Sequence, residues 1–452
     1  MNELLKLTAL EQASLLVNKK ISSVELCKLY LQQIADHNKD LGAFVSVQTK
    51  RALLRARRAD RHLRTRNPTP VFCGVPIGIK DLFQTRFSRT RFGSRHYRYY
   101  LPFSDHEGVK RLKAGGFVSL GKLSTSEFGV MPITETALHP PTRNPWNLNH
   151  SAGGSSGGSG AAVAGNLVPI ALGSDGAGSI RIPASFCHLF GFKPSLSLLG
   201  NLHGKNNIFG MSVMGPLSKD VADAAAMLDV LMGHIHSHKR PCWNATQCRP
   251  RSLNINLVVE SHLSKTHPQA VSLTHTVAQT LESLGHNIQM IELDKTTISE
   301  FLPIWQYLIS NLPIYISKNV EPVTAWLHME GKKHTLEACL KLQQKLSERI
   351  ERSLNNADLL LSPTVAMPAP LINEHKDEDP EQMFFNVAPI GAFTVPFNLI
   401  KGPSANLPMG LTANKMPIGI QLGGRPGFDY ELLSLCAQLE RALPWRTRFL
   451  SN

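Results

Sequence analysis

Acidic side chains are scarce in this sequence: 34 Asp and Glu stand against 48 Lys and Arg, a formal surplus of +14. That imbalance favours acidic partners or simple solubility and says nothing about fold. Long apolar runs are missing too. The most apolar segment, 160–173, is short and broken by Asn166 and Pro169, which excludes a membrane-spanning helix. The opening MNELLKLTALEQ has no basic segment ahead of an apolar core. No secretory signal is therefore expected, and a cytoplasmic location is. Cysteines are few, odd in number and scattered, mostly among apolar neighbours; this reads as buried thiols in a reducing compartment, not a disulfide framework. Charged residues make up only 18% against 42% apolar, which rules out a disordered or coiled-coil chain. No repeat of roughly 20–50 residues is found, so solenoids and propellers are excluded.

What remains is a chain of 452 residues, long enough to bury a large core without disulfide or metal staples. Helical periodicity dominates the start: Leu10, Ala13 and Leu16, then a capped run from Ser22 and Ser23 to Ile34. An Arg-rich helix is expected over 50–66. Strands are expected over 75–80, 117–121, 167–172, 253–259, 358–362, 407–411 and 418–422, and helices over 217–232, 268–284 and 430–443. Residues 234–252 read as a connecting loop and 299–356 as helix-rich. Strands alternating with helices imply an α/β fold, a large mixed and mostly parallel sheet covered by helices on both faces. A single domain over 1–452 is expected, with a helical N-terminus (1–66), a core carrying the chemistry (70–232), and the rest of the sheet with pocket helices (253–452).

Several motifs have bland readings that win. Gly153-Gly154-Ser155-Ser156-Gly157 matches G-x-S-x-G, yet the polar segment Asn144–His150 before it does not read as the strand a nucleophile elbow needs. Gly116-x4-Gly121-Lys122 is one residue short of a phosphate-binding loop, and Leu123 stands where a Mg²⁺-binding hydroxyl belongs. Ser119-x-x-Lys122 has no K-T-G partner downstream. His234, His236 and His238 alternate as metal ligands could, but no Asp or Glu lies beside them, so a surface loop is the simpler reading.

Residues 151–180 are the informative stretch, with nine Gly in thirty positions. Gly-Ser tracts are often flexible linkers, but a linker does not run directly into an apolar strand and helix. Gly-rich loops also expose backbone N–H groups that can stabilise an oxyanion. Serine needs a base. The best candidate is Lys80, on Gly78-Ile79-Lys80-Asp81 at the end of an apolar strand, where burial would lower its pKa.

These motifs together resemble the amidase signature family. Gly74-Val75-Pro76-Ile77-Gly78-Ile79-Lys80-Asp81 is similar to the family's lysine motif. Gly153-Gly154-Ser155-Ser156-Gly157-Gly158-Ser159 followed by Gly173-Ser174-Asp175-Gly176-Ala177-Gly178-Ser179-Ile180-Arg181 is similar to the signature itself. Thr142-Arg143-Asn144-Pro145-Trp146-Asn147, Gly191-Phe192-Lys193-Pro194, Ser362-Pro363-Thr364 and Gly423-Gly424-Arg425-Pro426-Gly427 resemble further family markers. The resemblance implies the family fold and an amide hydrolase with a Lys80, Ser155, Ser179 triad. Ser179 would be the nucleophile, and Ser155, after a cis peptide bond, would bridge it to a neutral Lys80. The N–H groups of Gly176, Ala177, Gly178 and Ser179 would form the oxyanion hole, with Ser156, Asp175 and Arg181 supporting the loop. No cofactor and no metal are implied. The acyl pocket would draw on the loop after Glu127-Phe128-Gly129 and on 299–356.

Two departures bear on specificity. The family usually has Gly where Ala177 stands; a positive φ there would cost Ala about 1–2 kcal/mol, which motivates the alternative of a catalytically weak homologue with a binding role, against which the intact Lys80, Ser155 and Ser179 count. No Arg in a Met-Leu-Gly context occurs in 300–350, which argues against a glutaminase subunit of a tRNA-dependent amidotransferase. The implied partner is a small-molecule amide, aryl or peptide C-terminal amides included, with a homodimer left open. Basic residues interleaved with aromatics over 86–100 could bind nucleic acid, or acidic substrates or an anionic surface, but an exposed loop is the commoner reading and nucleic acid is not expected.

Overall fold

The computed structural model describes residues 2–65, 68–203, 207–236 and 239–446. Its strands are β1 (Phe44–Val47), β2 (Pro76–Lys80), β3 (Val118–Leu123), β4 (Arg143–Asn144), β5 (Asn147–Ser151), β6 (Ala171–Asp175), β7 (Phe190–Lys193), β8 (Val213–Ser218), β9 (Asn254–Leu257), β10 (Asn287–Met290), β11 (Leu359–Pro363), β12 (Ser404–Leu411) and β13 (Pro417–Gly424). Strands β4 and β5 make a small separate hairpin. The other eleven form one sheet in the order β1-β3-β2-β6-β8-β7-β12-β13-β11-β9-β10.

The sheet is mixed, as expected, but the expected parallel majority does not hold. Only β3–β2, β2–β6, β11–β9 and β9–β10 run parallel. The six other pairings, including β6–β8, β8–β7, β7–β12 and β12–β13, are antiparallel. The reason is local at β12 and β13: a five-residue turn between them leaves no room for the crossover a parallel pair requires.

Helices form where apolar spacing and caps coincide. Helix Ser23–Leu41 starts at Ser22, whose hydroxyl accepts the Glu25 N–H while the Glu25 carboxylate accepts the Ser22 N–H, and ends at Gly42 in the left-handed region. Helix Thr49–Leu63 buries only Ala52, Ala56 and Ala59 and turns its arginines outward. One apolar cluster joins the N-terminal helices to β1–β3 and β6; a second packs helices Pro268–Ser283 and Asp429–Ala442 on β9 and β11–β13. Among the described residues no helix is long and apolar enough to cross a membrane.

Three local expectations are corrected. The strand expected over 167–172 is β6, 171–175, because Pro169 lacks the N–H a ladder needs and the polar Ser174 and Asp175 belong to the strand. The helix expected over 217–232 begins at Val221, capped by Asp220, after the unpredicted strand β8. The loop expected over 234–252 contains helix Pro241–Gln247, with Pro241 in its first turn.

Both ends of the described chain meet at Lys219. Its Nζ donates to the Leu5 carbonyl (2.5 Å) and to Asn166 Oδ1 (2.7 Å), while its own carbonyl accepts the Trp445 indole N–H (3.0 Å). Arg446 pairs with Glu11 at 2.9 Å beside it.

Candidate active site

Lys80 is the last residue of β2, at the centre of the parallel part of the sheet. Its side chain is fully buried, with Nζ 2.7 Å from Ser155 Oγ and 2.9 Å from Ser174 Oγ. Burial holds the amine far below the ordinary lysine range, and the charge of Asp175 opposes that only in part. A neutral amine whose partners among the described residues are hydroxyls is chemically able to accept a proton.

Ser155 follows a cis Gly154–Ser155 peptide bond. It stands in the turn between β5 and helix Gly157–Ala164. A strand does precede this loop, hidden by its polar composition, but it belongs to the small hairpin and not to the main sheet, so the G-x-S-x-G match is not a nucleophile elbow. Gly129 closes over Ser155 from the other side: a Cβ there would come within 3.2 Å of Ser155 Oγ. Ser156 fixes the neighbouring strand. Its hydroxyl donates to the Ser174 carbonyl (3.1 Å) and accepts the Ser174 N–H (3.2 Å), and its backbone N–H donates to the Ser179 carbonyl (3.3 Å).

The loop 175–181 is braced from beneath. Asp175 accepts the N–H of Gly178 (2.7 Å) and of Ile180 (3.2 Å) and pairs with Arg181 through Nε and Nη2, both at 2.9 Å. Arg181 continues to the Thr394 carbonyl and Gln421 Oε1, each at 2.8 Å, and to Asn398 Oδ1 at 2.6 Å. Burial would raise the Asp175 carboxyl, but the Arg181 charge and hydrogen bonds outweigh it and hold the group well below the usual carboxylate range. Gly178 has φ of +127°, and a Cβ on it would sit 2.3 Å from Thr394 Oγ1, so only glycine fits.

This bracing corrects one expectation. The Gly178 N–H points at Asp175 Oδ1, so it is not available as an oxyanion donor. The N–H groups of Gly176, Ala177 and Ser179 donate to no acceptor among the described residues. Ala177 lies outside the left-handed region, so it carries none of the strain a positive φ would have imposed. Its carbonyl accepts the Thr394 hydroxyl at 2.7 Å, and the residue lines the pocket.

Ser179 is 8% exposed and lines an open cleft. Among the described residues its hydroxyl makes no hydrogen bond to Ser155; such bonds often tighten only when substrate is present. The cleft walls are overwhelmingly apolar, with Met131, Ile182, Phe301, Trp305 and Phe384 around Ala177. The loop after Gly129 and the helices of 299–356 both contribute, as does the unforeseen segment 384–399. Burial pushes the Glu127 carboxyl up to about 7; it accepts the Glu321 N–H at 2.9 Å and ties its loop to the start of helix Pro322–Gly331.

Sequence reasoning passed over Ser174, Thr394, Asn398 and Gln421. Ser174 was in plain view inside Gly173-Ser174-Asp175; the other three carry no motif and reach the site only through the fold. Among the described residues no three His, Cys, Asp or Glu side chains group as a metal site requires, and His238 lies outside those residues.

The chain resembles known proteins over nearly its whole length. The amidase family model matches residues 25–433. The 6-aminohexanoate-cyclic-dimer hydrolase of Pseudomonas sp. (strain NK87) is 32% identical, over 97% of this chain and 95% of the relative. The solved structure of a 6-aminohexanoate cyclic dimer hydrolase superposes with a TM-score of 0.86 at 29% identity, covering 98% of both chains. A bacterial aryl acylamidase of the amidase signature family shares the fold, with a TM-score of 0.87 at 23% identity over 98% of this chain and 97% of that one.

Proposed function

The chain belongs to the amidase signature family and is an amide hydrolase, and on that premise we propose that it cleaves linear amides of apolar carboxylic acids through Ser179, Ser155 and Lys80. The observation that carries this reading is the fully buried Lys80 amine, held far below its ordinary pKa, its hydrogen-bond partners among the described residues being the Ser155 and Ser174 hydroxyls.

In this mechanism Ser179 attacks the amide carbonyl as Ser155 takes its proton and passes its own to neutral Lys80. Substrate in the cleft brings the two serine hydroxyls into contact. The N–H groups of Gly176, Ala177 and Ser179 receive the oxyanion. Two or three such donors are worth several kcal/mol, since each contributes about 2.7–4 kcal/mol in comparable sites. Lys80, now an ammonium, returns its proton through Ser155 to the leaving nitrogen. Ammonia or an amine departs, and an acyl group is left on Ser179 Oγ. Water then attacks the acyl-enzyme by the same relay and releases the acid. The apolar walls at Met131, Ile182, Phe301, Trp305 and Phe384 match an alkyl or aryl acyl group, since they offer it burial and few polar partners.

Intact mass after exposure to a serine-reactive fluorophosphonate tests the assignment without a known substrate. One adduct on the wild type and none on Ser179→Ala is the expected result. An adduct that persists on Ser179→Ala overturns the choice of nucleophile.

A further inference from the structure

The positive surplus of this chain is concentrated in one place. Segments 50–66 and 84–104 together hold thirteen Lys and Arg and a single acid, Asp60. The fold brings the two together: helix Thr49–Leu63 lays its first turn on the loop that follows β2, where Arg51 Nη1 donates to the Phe87 carbonyl. Guanidiniums then alternate with rings. Arg51 and Arg86 lie 5.8 and 4.7 Å from the centre of the Phe87 ring, and Arg89 and Arg98 lie 5.7 and 5.1 Å from that of Tyr99. Phe103 meets Phe87 edge-on at 6.3 Å.

This face is also apolar where a surface need not be. Phe103 is 80% exposed, Tyr99 70% and Leu101 42%. Phe87 is held at a φ of +56°, costly for a bulky residue, and still leaves its ring 43% exposed. The loop is no loose tail. Its inner side is fastened to the body by Phe92 stacked on Tyr100 and Phe128, and by the Tyr97 hydroxyl donating to the Pro313 carbonyl at 2.5 Å.

We propose that this platform docks the enzyme on an anionic phospholipid surface, its arginines on headgroup phosphates and Phe103, Leu101 and Tyr99 in the interfacial layer. Arginine attracts anionic leaflets, and aromatic rings favour the interface. A single-stranded nucleic acid fits less well, because stacking needs open ring faces and those of Phe87 and Tyr99 already carry guanidiniums. A second copy fits less well still, since a two-fold contact sets the same arginines against each other.

The test is co-sedimentation of the full chain with phosphatidylcholine vesicles, with and without phosphatidylglycerol. Binding is expected only with the anionic lipid, weakened about tenfold or more between low and high salt. The triple variant Arg86→Glu/Arg89→Glu/Arg98→Glu should abolish it. The milder Phe103→Ser/Leu101→Ser should weaken it about tenfold. Both variants should hydrolyse a soluble amide at the wild-type rate, which also shows that they fold. Equal binding to neutral vesicles, no binding to either, or unchanged binding by the triple variant overturns the proposal. So does a labelled oligothymidylate, or a dimer seen by sedimentation, that the triple variant abolishes while vesicles go unbound.

Discussion

Two lysines stand side by side in the sheet and have opposite fates. Lys80 on β2 and Lys122 on β3 lie in neighbouring parallel strands, one residue apart in register, and both are fully buried. Lys122 is given anionic and carbonyl partners: Asp81 at 3.3 Å, the Phe83 carbonyl at 2.5 Å and the Thr90 hydroxyl at 2.9 Å. Lys80 is given hydroxyls. Burial lowers both amines and a carboxylate opposes the shift in each, but Asp81 is paired directly with Lys122 whereas Asp175 acts on Lys80 by its charge alone, so Lys80 falls far further. Burial alone therefore does not set how far an amine falls; the presence or absence of a directly paired carboxylate does.

The comparison is broken or upheld most sharply by deleting each amine. Lys80→Met should lower kcat/KM by about 10⁴-fold or more while the protein stays folded. Lys122→Met should instead strand Asp81 in the interior and cost about 3–5 kcal/mol of stability, with turnover per folded molecule nearly unchanged. Urea unfolding and steady-state rates on both variants decide it; an inactive but stable Lys122→Met would erase the distinction. Asp175→Asn extends the contrast to a pair that is held charged. It should cost about 3–5 kcal/mol through the buried Arg181, read by thermal unfolding. The wild type should lose the same stability as pH falls below about 4, because a carboxyl lowered by folding is protonated first in the unfolded chain.

The pH dependence is the next test. The proposed mechanism needs neutral Lys80, so kcat/KM should fall as pH drops through its lowered pKa. Stability should move with it: the unfolded chain binds the extra proton between that pKa and about 10.4, so stability climbs with pH across this window. Lys80→Met should flatten that slope. The smallest expected effect is that of Ser174→Ala. Its hydroxyl accepts a hydrogen bond from the amine and favours the charged form, so its loss should move the acid limb of kcat/KM to lower pH, with about a tenfold change in rate. An acid limb that stays in place would mean Ser174 serves packing alone.

Lys80, Ser155, Ser179, Asp175 and Arg181 were legible in the sequence because they sit in glycine-rich segments whose spacing has few other uses. Position along the chain says which residues approach, but not which hydrogen bonds they choose. The Gly178 N–H was expected to face an oxyanion and instead faces Asp175, a choice set by a carboxylate three residues away. Strand β6 was misplaced because its end carries Ser174 and Asp175, polar residues that break the apolar run by which strands are recognised. The direction of the strands was misjudged because alternating elements suggest crossovers, whereas β12 and β13 are joined by a tight turn. The pocket wall at 384–399 was missed altogether: Phe384, Thr394 and Asn398 have no local pattern, and only the long-range fold gives them a task.

The clasp at Lys219 gives the described segment from Leu5 to Arg446 the topology of a ring with a small gap. With Leu5 and Trp445 hydrogen-bonded to one residue and Glu11 paired with Arg446, a short tether between the ends could close the gap, and new ends could be cut in an exposed turn such as the one around Lys376. The order in which the segments are synthesised is then separable from the structure they build: β1 through β8 and their serines and lysine could be made last instead of first, and the same site would assemble.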